Sequence, residues 1–246
     1  MPIIYLSPST QENNLYVTGG TEEQYMNLLA DKMIPYLDAS GIRYVRNTPE
    51  MNAVSSIAAS NAGNYDLHLA LHSNAAPEGR YGTVQGSIVF YYPGSARGRR
   101  AAQIVADGLK AIYPQPNLVR AEGTTTIGEV RRVRAPSVFL ELAYHDNTED
   151  ALWIQNNLDA IARSLVLSLT EYFGIPFFER SDPRSALVDV SWGALNIRSR
   201  PNTSSPILGQ APDGASLTVL NELGDWLLVQ FGPITGYANR DFVTFT

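Results

Sequence analysis

The chain has 246 residues, 44% hydrophobic and 17% charged, which excludes a disordered chain and is enough for one α/β domain plus a small second module. Its formal charge of -6 argues against nucleic acid as a partner, because phosphate neutralisation needs clustered Lys and Arg. It has no cysteine, so disulfides and thiolate zinc sites are excluded, and any metal must sit on His or oxygen ligands.

In chain order, residues 3–6 form a short apolar strand, and residues 1–6 lack the basic stretch of a signal peptide. No membrane span is expected anywhere. A polar loop over 7–14 leads through Gly19-Gly20 to Thr21, which reads as a helix N-cap. Glu22 and Glu23 follow in the first turn, where the helix dipole favours carboxylates. That helix runs to about Leu37 and stops at Ser40-Gly41. A strand over 42–45 and a helix over 49–61 come next. Residues 66–74, Asp-Leu-His-Leu-Ala-Leu-His-Ser-Asn, are a nearly all-apolar run ending in polar residues, the pattern of a strand buried on both faces. A Gly- and Pro-rich loop over 75–86 precedes a strand over 87–92 and a helix over 101–112.

Residues 117–135 are polar and carry no clear periodicity. Arg131, Arg132 and Arg134 are the densest basic run there and read as surface charge on a loop. A strand over 137–142 and one long amphipathic helix over 149–173 complete the first domain. Alternating strands and helices predict an α/β fold with a mostly parallel sheet flanked by helices. The expected domains are residues 1–175, a linker over 176–186, and residues 187–246. Short β runs punctuated by Gly, Pro and Asn make the last of these a small all-β barrel.

The chemistry gathers at strand ends. The chain has only three histidines, His68, His72 and His145. If the first, third and 137–142 strands are parallel neighbours, their carboxyl ends face one crevice. One or two of Glu22 and Glu23 would then meet His72, Glu141 and His145. Two or three His and Glu side chains can hold zinc with a position left for water, and a further Glu can move that water's proton. That is the equipment of an amide hydrolase. His68 lies roughly 13 Å back along the strand from His72 and is expected in the core or behind the site.

Residues 3–173 resemble the zinc-dependent N-acetylmuramoyl-L-alanine amidases of the Amidase_3 type. The resemblance rests on Glu23 four residues before Asn27-Leu28 and on Asp66-Leu67, His72 and Asn74-Ala75. It continues through Gly86 to Tyr91-Tyr92, and through Pro136 and Glu141 to Tyr144 and Asn147. It implies that Glu23 and His72 are zinc ligands and that Glu141 is the catalytic base. The substrate implied is peptidoglycan or its muropeptides, cut between the lactyl group and L-alanine. The place of action would be the cell wall or the outside of the cell, although no signal peptide is read in the sequence. One position departs from the pattern: Thr10 stands where the family has its first His ligand. His145 is expected to supply the missing ligand, His68 is the other candidate, and a site without a third ligand would leave a degenerate amidase fold that only binds wall fragments.

Residues 187–246 resemble a bacterial SH3 domain. The matching residues are Leu195-Asn196-Ile197-Arg198 with Pro201, Asp213-Gly214, Gly224-Asp225-Trp226 and Gly236-Tyr237. Such a module implies binding to the cell wall. Trp226 could face a ligand or fill the barrel core.

Overall fold

The computed structural model describes residues 1–179 and 183–246. The chain divides into two compact units, one of Pro2–Ile34 and Tyr44–Phe177, the other of Met1, Pro35–Arg43 and Phe178–Thr246.

The α/β part runs β1 (Ile3–Pro8), α1 (Glu22–Ala39), β2 (Arg43–Arg46), α2 (Ala53–Ala62), β3 (Leu67–Asn74), β4 (Ile88–Tyr91), α3 (Ala96–Lys110), β5 (Arg120–Gly123), α4 (Gly128–Arg131), β6 (Ser137–Tyr144), α5 (Thr148–Asn156) and α6 (Leu158–Phe173). Its sheet has the order β2-β1-β3-β6-β4-β5. The expected neighbours β1, β3 and β6 are adjacent and parallel, and β4 and β5 are parallel to each other. The sheet turns over between them, because β4 runs antiparallel to β6. Ile4, Leu6, Leu67, Leu69, Leu71, Val138, Leu140 and Leu142 are almost fully buried along the three central strands. These lie on one face; the other carries Tyr5, Ser7, His68, Ala70, His72 and Phe139, also buried, together with Glu141, so both faces are covered but only one is wholly apolar.

Local chemistry explains where the helices begin and end. Thr21 Oγ1 accepts from Gln24 N at 3.1 Å and caps α1 as its sequence predicts. The helix expected from residue 49 begins only at Ala53, because Asn52 Oδ1 accepts from Val54 N and Ser55 N while Ser55 Oγ accepts from Asn52 N. The long helix expected over 149–173 is two helices. Asn157 breaks it, leaving the helical region at φ -125, with its side-chain amide donating to Trp153 O at 2.8 Å. Asn147 caps α5 by accepting from Glu149 N and Asp150 N. Residues 117–135 hold β5 and α4, which no periodicity signals because each spans only four residues.

The β part comprises β7 (Arg184–Val188), β8 (Ala194–Arg198), β9 (Ile207–Pro212), β10 (Ser216–Leu223), β11 (Trp226–Phe231), β12 (Ile234–Asn239) and β13 (Val243–Phe245). The order is β13-β7-β10-β11-β12-β8-β9, and every described pairing is antiparallel. Apolar residues alternate along the strands, and side chains from all seven strands meet in one core. Of the segment expected as a linker, residues 180–182 lie outside the described residues, and β7 already begins at Arg184. Trp226 is half-buried and stands outside that core. Among the described residues, no helix is long and apolar enough to cross a membrane.

Candidate active site

The carboxyl ends of β1 and β3 open into one cleft of about 710 Å³, lined by Ser9, Gln11, Asn14, Asn47, His72 and Glu129 among others, with Phe139 as the contribution of β6 and Glu141 behind His72 rather than in the lining. His72 and Glu141 are register partners on β3 and β6, so the parallel pairing sets the imidazole beside the carboxylate. The β1 chain continues past Pro8, with Ser9 N donating to Leu71 O at 2.9 Å.

His72 is held on every side. Its Nδ1 lies 2.8 Å from Glu22 Oε1, and its Nε2 lies 3.5 Å from Glu129 Oε2. The Phe139 ring stacks on the imidazole with centroids 4.2 Å apart. Gln11 Nε2 is 3.2 Å from the same Nδ1. Burial opposes the charged imidazole, but the Glu129 and Glu22 carboxylates outweigh it and lift the pKa to about 9.

Glu22, rather than the expected Glu23, is the carboxylate that meets His72. Successive helical residues point about 100° apart, so only one of the two can face β3. Glu22 is 1% exposed and also accepts from Asn14 Nδ2 at 2.6 Å and Ser73 N at 3.4 Å. Burial pushes its pKa up, yet the His72 contact and the Asn14 and Ser9 hydrogen bonds bring it below the ordinary value. Glu23 is half-buried, and its backbone carbonyl accepts from Asn27 Nδ2 at 2.7 Å.

Ser9, not Thr10, faces Glu22. Ser9 is 1% exposed and hydrogen-bonds that carboxylate, whereas Thr10 is half-buried at the cleft wall. A hydroxyl thus stands on the ligand side of Glu22.

His145 turns the other way. Its Nδ1 lies 3.0 Å from both Ser73 Oγ and Ser73 O, and its ring stacks on Tyr16 with centroids 5.5 Å apart. The β6–α5 turn explains this orientation, since His145 N donates to Asn74 O and His145 O accepts from Val17 N. Among the described residues, no three His, Cys, Asp or Glu side chains converge closely enough to hold a metal ion.

His68 is buried behind the site. Its Nδ1 is 2.9 Å from Ser60 Oγ, its Nε2 is 3.2 Å from Glu129 Oε1, and its ring stacks on Tyr5. Glu129 therefore bridges the two strand histidines, one with each of its oxygens. Ser7 Oγ also donates to Glu129 Oε1 at 2.6 Å. Burial alone would raise the Glu129 pKa, but His68 and His72 bring it down to about 2. Sequence reasoning missed this residue. Its one signal is a carboxylate between apolar Ile127 and Val130 in an otherwise polar stretch. The three arginines nearby stay at the surface: Arg131, Arg132 and Arg134 are exposed.

Glu141 stands apart from this chain of partners. Its Oε2 is buried and has no hydrogen-bond partner among the described residues. Burial pushes its pKa to about 7, with the nearby His72 opposing and Glu22 adding to the rise. Near neutral pH it can both take up and release a proton.

Residues 9–171 match the N-acetylmuramoyl-L-alanine amidase family, Amidase_3, and residues 193–244 match the bacterial SH3 domain. Among solved structures, the fold is similar to that of N-acetylmuramoyl-L-alanine amidase AmiC2 of Nostoc punctiforme, at TM-score 0.60 and 15% identity, covering 70% of this chain and 97% of that one. The catalytic domain of the CD27L endolysin targeting Clostridia difficile gives TM-score 0.58 at 20% identity, covering 70% and 98%. The catalytic domain of CwlV from Bacillus (Paenibacillus) polymyxa var. colistinus gives 0.62 at 12% identity, covering 72% and 100%. No curated protein matches the chain.

Proposed function

The chain belongs to the N-acetylmuramoyl-L-alanine amidase family, and on that footing we propose that it hydrolyses the amide between the lactyl group of N-acetylmuramic acid and L-alanine in peptidoglycan. Its place of action is the cell wall, where the SH3-like unit holds it to the polymer. Glu141 takes the proton of the water that attacks the lactyl carbonyl. It then delivers that proton to the alanine nitrogen as the carbon–nitrogen bond breaks, leaving a lactyl carboxylate and a free amine. The observation that supports this role is the buried, unpartnered Glu141 oxygen at the carboxyl end of β6, with a pKa near 7.

Zinc, which family membership implies, would polarise the carbonyl and the water. The residues as arranged do not fit it. Glu22 and His72 offer adjacent donors, but Ser9 and Gln11 flank them where another strong ligand is needed, and His145 is engaged with Ser73. No step is assigned to the metal.

That mismatch favours a second reading, a wall-binding protein that keeps the fold without turnover. Both ring nitrogens of His72 already face carboxylates. The experiment incubates wild-type protein and Glu141→Gln with purified peptidoglycan, with and without supplied zinc, and assays free L-alanine amines against intact glycan. Release by wild type and a loss of roughly a hundredfold or more in Glu141→Gln, with wall binding kept, supports the amidase reading. Binding without any release of amine, whether or not zinc is added, overturns it in favour of the second.

A further inference from the structure

The α/β sheet has a second edge, and its charge is opposite to that of the site. At the carboxyl ends of β1 and β3 the cleft is lined by Glu12, Glu50 and Glu129, and no Lys or Arg lines it among the described residues. At the amino ends of β3 and β6 the fold gathers arginines from two distant segments: Arg97, Arg99 and Arg100 of α3, and Arg131, Arg132 and Arg134 ahead of β6. Every one of them is exposed.

Topology brings the two segments to one edge. β4 runs antiparallel to β6, so Tyr91 at its end pairs with Val138 near the start of β6, and α3 begins there. A Cβ placed on Gly98 would lie only 3.1 Å from Ser137 O, so the first turn of α3 rests on the start of β6. Arg100 Nη1 donates to Tyr172 O at 3.0 Å. Burial raises the pKa of the Tyr172 phenol, and Arg97, Arg100 and Asp66 all lie close enough to act on it, so α3 also reaches the residue just ahead of β3. The second segment is tied to the end of α2. Arg134 Nη1 donates to Asn61 O at 3.1 Å, and Asn61 Nδ2 donates to Arg132 O at 2.8 Å.

The fold alone does not account for these charges. The first turn of α3 has no acidic residue, where the helix dipole favours one, and three arginines crowd its first five residues instead. The side chains of Arg97, Arg131 and Arg132 make no hydrogen bond or ion pair with any described residue. An anion would relieve both conditions, and guanidinium forks beside a helix N-terminus match phosphate oxygens. The two segments approach the edge from α3 and from α2, so a single phosphate meets one group, whereas a flexible chain of phosphates can follow both. A nucleic-acid duplex is too stiff to turn around a sheet edge. Among residues 91–100 and 131–134, Tyr92 alone is a large exposed apolar side chain, which is too little to insert into a lipid surface.

We infer that this edge docks the amidase unit on an anionic wall polymer of phosphodiester-linked polyols, with the catalytic edge turned away from it. The inference rests on the cell wall as the place of action and adds an attachment point on the amidase unit itself.

The test titrates full-length protein with soluble poly(glycerol phosphate), with duplex DNA of equal charge and with phosphatidylglycerol vesicles. Poly(glycerol phosphate) is expected to bind most tightly, with an affinity that falls steeply as salt rises from about 50 to about 200 mM. Replacing the three unbonded arginines together, Arg97→Gln, Arg131→Gln and Arg132→Gln, should weaken it at least about tenfold, with the fold checked by circular dichroism. A control that removes equal charge from the opposite edge, Arg80→Gln, Lys110→Gln and Arg120→Gln, should change it less than about twofold. Equal losses in the two triple variants would overturn the docking edge, as would binding that neither variant changes or a wild type that does not bind the polymer. Tighter binding of DNA or of vesicles would overturn the choice of partner. Amine release from phosphate-free peptidoglycan, measured on the same preparations, should be equal in wild type and the arginine variant. Absence of release from both would remove the amidase reading, while the polymer titration still decides this one.

Discussion

The two units treat charge in opposite ways. The α/β unit buries Glu22, His68, His72, Glu129, His145 and Asp150, while in the described part of 183–246 the buried polar side chain is Ser205 alone. In the first unit the titratable groups of the site other than Glu141 face partners from other elements: Glu22 of α1 meets His72 of β3, and Glu129 of α4 meets both His72 and His68. The contacts that hold the fold there also build the site, so a change to one disturbs the other. In the second unit the core is apolar and the distinctive groups lie at the surface, Trp192 and Arg198 among them. Its surface can change without disturbing what holds it together.

The contrast can be broken at its strongest point. Replacing Glu129 by Ala leaves His68, His72 and Ser7 without their shared acceptor. A loss of about 3–5 kcal/mol is expected by chemical denaturation, because removing one partner strands buried charge. A loss below about 1 kcal/mol would show that the network does not hold the fold.

Next in size is Glu141. A carboxyl raised to about 7 keeps its proton in the folded chain over a range where the unfolded chain has lost it. Its contribution therefore falls as pH climbs from the ordinary value toward 7. Glu141→Gln should be more stable than wild type by at most about 3 kcal/mol above about pH 8, and equal to it near about pH 4. Equal stability at both pH values would mean that Glu141 is better solvated than its burial indicates.

The ion pairs give the first unit a stability plateau with defined edges. Glu129, held at about 2, contributes above its ordinary range, and that contribution is lost as pH falls through about 2. His72, lifted to about 9, contributes fully below its ordinary value, and that contribution is lost as pH rises through about 9. Amide exchange followed residue by residue should show protection in β3 and β6 falling between pH 7 and pH 10, once corrected for intrinsic rates, while β10 and β11 hold theirs. The smallest effect sharpens the other side: Trp192→Ala should leave stability within about 0.5 kcal/mol of wild type.

Much of this could be read from single residues. The run from Leu67 to Asn74 announced a buried strand because Leu67, Leu69 and Leu71 alternate with Ala70 and two histidines, with no Lys, Arg, Asp or Glu where a half-exposed strand would put its solvent face. Thr21 announced the start of α1, and the expected adjacency of β1, β3 and β6 placed His72 beside Glu141. The direction of β4 was not legible, since a four-residue strand carries no mark of which way it pairs. Glu22 and Glu23 are indistinguishable as first-turn carboxylates until the rotation of α1 against β3 is known. Ser9 and Thr10 pose the same problem at the end of β1, where alternate residues face opposite sides. Glu129 lies 57 residues from His72 in the chain (129 against 72), and only the docking of α4 brings it near.

By itself, then, the sequence determined the longer elements and their order, the resemblance to two families and the strand ends where chemistry would gather, but not β5, α4 or the break between α5 and α6, because hydrophobic period, caps and motifs are local properties that need several turns or residues to show. Tertiary structure decided which of two neighbouring carboxylates meets His72, that Glu129 rather than His145 completes its surroundings, and that Trp226 stands outside the core. Those outcomes depend on the rotation and docking of whole elements, which shift a side chain by several ångströms without changing any local pattern.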